Sequence, residues 1–381
     1  MEIERVFVIL YRRCLGMMMK RNVFSWGIPL ILIGTVGLCR WQSAWAEAYA
    51  RHVYPYVSSV LSAFSSLFPF SVGDCFIVGA CAWLIGYPFY AWWKKKGWRK
   101  TIGVMIRFLM WTYVWFYGAW GLNYFRDSFY ERTGVAEVEY DAGKFQKFLT
   151  DYIDRLNESY VLAGDRGGDW YLEPWRTSDC LKAMPVETGI QERYRKIAAS
   201  FGLVSSGKFL KAKPMLWSGG MSRLGVSGYM GPFFSEFNLN QEVLNVEYPF
   251  TYAHELAHRL GIAGEAEANL YAYLVTVSAD EPAVRFSGCF SMLGYAMSNA
   301  RRLLSGEEYR QLLARIRPEI VELYNQEQQY WREKYSPGAG EVQNKVYNAY
   351  LKGNRISSGT KNYSEVVGLW MALEQSGYRI D

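Results

Sequence analysis

Three apolar stretches in the first third of the chain, at about residues 23–39, 72–93 and 102–122, restrict the fold more than any other feature. A bilayer crossing needs about 20 apolar residues. In lipid, backbone polar groups must be satisfied internally, so each stretch is predicted to be a transmembrane helix. The first is short, and its ends are expected to extend into the flanks. Arg107 lies near the start of the third, where its side chain can snorkel to the headgroups. Arg12, Arg13, Lys20 and Arg21 precede the first stretch, and Lys94, Lys95, Lys96, Arg99 and Lys100 lie between the second and third. Positively charged loops stay cytoplasmic, so residues 40–71 and everything after about Asn123 are expected on the far side. About twenty residues precede the first stretch and no small-residue cleavage site follows, so an uncleaved anchor is expected in place of a signal peptide. This predicts a multi-pass protein of the inner membrane with its remaining domain in the periplasm.

Composition agrees with a bilayer partner. Aromatic residues make up 17% of the 381, with 15 Trp, and Trp and Tyr favour membrane interfaces. Net charge is only +6, and the main basic cluster reads as a topology signal, so no nucleic-acid partner is expected. The loop at 41–70 is aromatic and nearly uncharged and reads as an interfacial helix, with His52 an interfacial residue. Of six cysteines, only Cys180 and Cys289 lie beyond the apolar third, and no CxxC occurs. The two could pair in an oxidising compartment, which the sequence leaves open.

Residues 1–125 are thus read as a membrane region and 126–381 as a water-facing, mainly α domain with a small sheet. Helical spacing of Phe145, Phe148, Leu149, Tyr152, Ile153 and Leu156 predicts a helix over 140–160. A second is expected over 188–203, with Tyr194, Ile197, Ala198 and Phe201 on one side. Gly164, Gly167 and Gly168 mark a loop. Five glycines (Gly219, Gly220, Gly225, Gly228 and Gly231) and Pro232 break 214–240 into strands and turns, with a strand around 233–239. Helices are expected near 250–260, 264–278, 286–304, 306–332, 340–352 and 363–376.

Only three histidines occur, and two fall in His254-Glu255-Leu256-Ala257-His258. Residues four apart share a helix face, so both imidazoles can reach one zinc ion. Glu255 then lies close enough to serve as general base toward water. Pro249 suits the first turn of the motif helix, and Gly261 suits its C-terminal cap. A hydrolytic zinc site uses three protein ligands, and no histidine follows His258. A carboxylate is therefore the expected third ligand, as in thermolysin-like enzymes. Glu265 is preferred on the helix-face argument, and Glu267 is the alternative. Glu265 and Asn269 resemble the E-x-x-x-D arrangement of gluzincin metallopeptidases, where the later residue orients a ligand histidine. Asn replaces Asp here and carries no charge. The spacing to Gly261 resembles the metzincin turn, without its third histidine. Glu247, Arg259, Glu265 and Glu267 would be costly in lipid, which argues against an intramembrane protease.

Further strings carry a family resemblance. GVSGYMGPFFSEFNLN, YPFTYAHELAHRLG and EAEANLYAYL resemble the bacterial domain-of-unknown-function 3810 family. So do FPFSVGD, WGLNYFR and NAYLKGN…NYSEVVGLW. The resemblance implies an envelope protein, membrane-anchored, with a gluzincin-like metallopeptidase domain, and implies no substrate. EAEAN also resembles the E-x-E-A-N element of a bacterial metallopeptidase family that cleaves phage-type repressors, which supports a carboxylate ligand without choosing between the two glutamates.

The expected activity is zinc-dependent hydrolysis of peptide bonds in a peptide or protein substrate. Tyr271, Tyr273 and Tyr295 are nearby oxyanion-donor candidates, with core packing as the plainer role for each. The stretch 225–240 could supply an edge strand for an extended peptide, or a plain packed hairpin. Two other readings stay open: a non-catalytic envelope scaffold or sensor with a vestigial zinc site, and a zinc hydrolase of a non-peptide amide. An intact Glu255 argues against the scaffold.

Overall fold

The structure, a computed structural model, describes residues 23–164, 168–176, 185–203, 211–356, 358 and 365–378. It is mainly helical with one small sheet. The N-terminal part contains α1 (Ile28–Trp41), α2 (Ser43–His52), α3 (Tyr54–Ser65), α4 (Val72–Trp93) and α5 (Trp98–Ala119). Both α4 and α5 have 22 residues, and little of either apolar window is buried (6% and 11%). At 1.5 Å per residue each is about 33 Å long, enough to cross a bilayer. A soluble core helix of that composition would be covered by protein. Apolar helix in the first expected span is limited to Ser25–Trp41, shorter than the other two. Two of the three expected spans therefore have crossing length among the described residues. Arg107 stacks over the ring of Trp26, 5.3 Å from its centroid.

The loop expected as one interfacial helix is two, broken at Val53. One side of α3 carries exposed Tyr56, Val60 and Phe64. The other carries Tyr54, Ser58, Ser62 and Ser65, all buried. Small side chains at that spacing let α3 lie close against the rest of the protein, and Ser58 shares a 2.6 Å hydrogen bond with Ser235.

The remaining elements are α6 (Phe129–Thr133), α7 (Ala142–Ala163), α8 (Gly168–Leu172), α9 (Val186–Phe201), α10 (Ser218–Arg223), α11 (Tyr248–Arg259), α12 (Glu265–Val277), α13 (Pro282–Leu303), α14 (Gly306–Arg315), α15 (Pro318–Lys334), α16 (Pro337–Gly353) and α17 (Val366–Gln375). The sheet holds β1 (Lys213–Pro214), β2 (Gly228–Gly231) and β3 (Glu236–Leu239), in the order β1-β3-β2. β2 runs antiparallel to β3, with Gly228 opposite Leu239 and Gly231 opposite Glu236.

The core forms around α12. Its sequence is apolar on nearly every side, and a helix of that kind belongs in the interior. Twelve of its thirteen residues are buried, all but Glu267. α11, α13, α9 and α17 pack around it. Trp370 of α17, fully buried, meets Phe148, Tyr152 and Tyr273 at ring-centroid distances of 4.6, 5.3 and 4.2 Å.

Several expectations are corrected. The strand begins at Glu236, and Phe233 and Phe234 sit in the turn before it. The single helix expected over 306–332 is two. Pro318 starts the second, and proline disfavours helical backbone in the residue before it. Gly168 opens the short α8, with Gly164 left as the cap of α7. Cys289 is a buried free thiol, and Cys180 lies outside the described residues.

Truncating a fully buried indole leaves a cavity. Trp370→Ala is expected to cost about 3–5 kcal/mol, read as a lowered denaturation midpoint of the full chain in detergent.

Candidate metal centre

The backbone after the motif helix sets the site. Gly261 takes a left-handed φ of +88°, which glycine adopts without steric cost. Its N–H reaches the His258 carbonyl at 3.0 Å, and the Ile262 N–H reaches the Ala257 carbonyl at 3.2 Å. This paired closure is a Schellman motif. It turns the Ile262 carbonyl back beneath the His258 ring, 2.7 Å from Nδ1. A carbonyl only accepts, so Nδ1 carries a proton and Nε2 is the ring atom turned toward the other donors.

That Nε2 faces two other donor atoms. The Nε2 atoms of His254 and His258 are 3.0 Å apart. Glu265 Oε2 is 3.2 Å from the first and 3.3 Å from the second. Glu265 opens α12, across the short turn from α11, so its helix phase aims it at the imidazoles. Glu267 lies on another face and pairs with the buried Arg132 of α6. Of the two competing glutamates, only Glu265 is brought to the histidines. His52 is exposed on α2 and takes no part in the cluster.

The donor set fits a metal ion by its own geometry. Tetrahedral zinc with bonds of about 2.0–2.1 Å has its ligand atoms about 3.3–3.4 Å apart. The three observed separations lie at or just under that edge. Glu265 Oε2 and Glu255 Oε2 are buried without hydrogen-bond partners. Burial opposes the charged form of His258, but the Glu265 carboxylate outweighs it and raises the imidazole to about 9. Burial likewise opposes ionisation of Glu265, yet the two imidazoles hold its carboxyl well below the usual range. The two shifts are the two sides of one attraction between the imidazoles and the carboxylate. Burial pushes the Glu255 carboxyl up to about 7, against the attraction of both histidines.

Residues far away in sequence hold this centre. Tyr347 of α16 donates to Glu265 Oε1. Trp120, just past α5, donates from Nε1 to the His258 carbonyl at 2.9 Å. Tyr54 of α3 donates to the Arg259 carbonyl at 2.7 Å. Arg126 grips Glu47 with two nitrogens, at 2.8 and 3.0 Å, and donates to the Gly261 carbonyl at 2.9 Å. Asn269 does not accept the expected hydrogen bond from a histidine. Asn269 is buried at the site, but His254 Nδ1 and Asn269 Nδ2 both lack partners. Ile262 fills that orienting role for His258. Tyr271 and Tyr273 are wholly buried in the core, whereas Tyr295 lines the cleft over the cluster.

The cleft measures ≈ 1020 Å³, and His254, Glu255, His258 and Glu265 are among the residues that line it. β2 lies beside them. A Cβ at Gly228 would come within 2.5 Å of Glu255 Oε1, so a glycine there lets the strand approach the carboxylate. At the other end, Glu247 and Glu327 face each other, and burial raises both carboxyls above their ordinary range.

The family profile described as "Protein of unknown function (DUF3810)" matches residues 49–371. The chain belongs to this family. No curated protein and no solved structure matches it. The strings that resemble this family, from Phe68 to Trp370, serve different parts of the structure, and several of them support the site. WGLNYFR supplies Trp120 and Arg126, and FPFSVGD carries Gly73 and Asp74, which bond the sheet. NAYLKGN follows directly on Tyr347 and supplies Asn354, which accepts from Tyr117 at 2.7 Å.

Two substitutions separate the glutamates. Glu265→Gln is expected to abolish tight zinc retention. Glu267→Gln is expected to leave zinc stoichiometry intact and cost about 3–5 kcal/mol by stranding Arg132. Elemental analysis and denaturation of the same samples read both. Tyr347→Phe removes the bond that steadies Glu265, and zinc affinity by chelator competition is expected to fall about 10–100-fold.

Proposed function

We propose that this DUF3810 protein is a membrane-anchored, zinc-dependent metallopeptidase that hydrolyses peptide bonds on the far side of the membrane from the cytoplasm. The observation that carries the reading is the triangle of part-buried His254 with buried His258 and Glu265, beside Glu255, whose Oε2 is buried without a partner, in an open cleft. A structural zinc site is closed by four protein ligands and needs no base. This cluster offers three ligands and a base, which favours hydrolysis over a scaffold.

His254, His258 and Glu265 would hold the ion, which when bound supplies Lewis-acid polarisation of a carbonyl and lowers the pKa of water. The chain's own residues do the remaining work. Glu255, whose burial raises its basicity, takes a proton from water and returns it to the leaving amine. Ile262 fixes the His258 ring, and Tyr347 and the Trp120 indole steady the ligand framework. Tyr295 lines the cleft within reach of Asn269 and is the tyrosine placed to meet a developing oxyanion. β2 is an edge strand half exposed to the cleft, so an extended peptide can add to it by main-chain hydrogen bonds. Such addition would bring a scissile bond past Glu255.

Support for the topology is the pair of exposed apolar helices, α4 and α5, and the basic residues at 94–100 joining them. We extend the reading to the shorter N-terminal helix as a third anchor, with the basic loop cytoplasmic and the cleft in the periplasm.

The full chain with zinc, on a peptide library, tests the activity. Glu255→Gln is expected to bind zinc normally and lose at least about 100-fold in kcat (general acid–base catalysis contributes about 10²–10⁴-fold). Equal turnover by both proteins, or none by either, would sink the peptidase reading.

A further inference from the structure

The β2–β3 hairpin is bolted to the outer ends of the two long apolar helices. Its turn carries Phe233 and Phe234. Phe233 packs on Phe76 of α4, ring centroids 4.8 Å apart, and on Phe116 of α5 at 6.1 Å. Phe234 packs on Phe76 and Trp115 at 5.8 and 6.3 Å. The Trp115 indole donates to the Phe233 carbonyl at 2.9 Å. Phe76 lies in the first turns of α4 and Trp115 in the last turns of α5, so these contacts share one end of the pair.

Polar bonds fix the hairpin at the same level. Tyr229 of β2 donates to Asp74 of α4. Glu236 of β3 accepts from the Gly73 N–H at 2.5 Å and from Ser71 at 3.1 Å, and pairs with buried Lys213 at 2.7 Å. Lys213 also donates to the carbonyls of Ser65 and Phe70. The Gly73 N–H at the start of α4 is thus capped from the sheet, while Ser71 caps the Asp74 N–H.

β2 therefore has one end at Glu255 and the other at the apolar helices. Gly228 lies against Glu255, and Gly231 leads through Pro232 into the phenylalanine turn. Three residue steps along a strand cover about 10 Å. Trp120 repeats the message from the other side, because the residue directly after α5 bonds the backbone of His258. A peptide lying on the open edge of β2 would run from the site of cleavage to the bilayer surface in about three to six residues.

We infer that the substrates are membrane-attached polypeptides, cut in the extended segment within about six residues of the point where they leave the bilayer. This rests on the peptidase reading above and names the class of chain the cleft would take. The physical basis is placement: the edge strand ends at the membrane, so a chain anchored there meets β2 in register, while a distant loop must bend back to reach it.

The test uses the full zinc-loaded chain in lipid nanodiscs with synthetic single-span peptides. One set carries ten randomised residues directly outside the span. A second carries the same residues behind a flexible linker of about 20 Gly and Ser, at equal membrane concentration. The random segment alone, without a span, is the third. Mass spectrometry maps the cuts. The expected result is that cuts cluster within about six residues of the span and that the linker set is cut about tenfold more slowly. A second readout needs no turnover: Glu255→Gln protein with a photoreactive residue at Met230 should cross-link the first set at those same positions. Equal cutting of the first two sets, or cross-links spread evenly along the ten residues, would overturn the inference. Cutting of the free segment alone would overturn it while keeping the peptidase reading. Cross-links at the expected positions with no cutting would keep the membrane-facing cleft and remove the peptidase. Neither cutting nor cross-links would overturn both.

Discussion

Two imidazoles and a carboxylate, His258 and Glu265 buried and His254 partly so, converge with their donor atoms within 3.3 Å of one another, and the surrounding structure is arranged to keep them there. Such a cluster is unfavourable when isolated, since burying polar and charged groups without compensation costs several kcal/mol. The framework supplies the orientation. α12 is buried almost throughout and carries Glu265 on its first turn. The Schellman turn at Gly261 fixes the ring of His258. Bonds from Tyr54, Trp120 and Arg126 then fix the carbonyls that end the motif helix. On the proposed reading, a cation among the three donors would offset the remaining electrostatic cost and so couple metal binding to local folding.

The same bonds join the metal centre to the apolar helices. Trp120 follows α5 directly, and Tyr54 sits on the helix pair that precedes α4. The part of the chain that carries the two long apolar helices is thus also part of the scaffold of the site. A boundary drawn at residue 125 describes composition, whereas the hydrogen bonds cross it repeatedly.

Much of the centre was legible in the sequence because its signals are local. HExxH, the glycine after it and a glutamate opening the next helix lie within twelve residues, and helix phase favours Glu265 over Glu267. A helix near 264–278 was legible, and its central burial became apparent only in the structure. The break at Pro318 was also a local signal, and a long amphipathic pattern masked it. What local pattern does not carry is the long-range support. Tyr347 is 82 residues from Glu265, and Trp120 is 138 from His258. Nothing in their neighbourhoods announces a ligand framework, and only the family resemblance singled out the strings around them. Asn269 shows the converse: helix spacing put it in place, but spacing could not tell that a backbone carbonyl would take the orienting role.

X-ray absorption at the zinc edge of the full, zinc-loaded chain tests the central claim most directly. Two imidazole nitrogens at about 2.0–2.1 Å with the remaining donors oxygen is the result predicted here, lost in His258→Ala. A sulfur shell at about 2.3 Å, a different imidazole count, or a chain that retains no metal at neutral pH would contradict it.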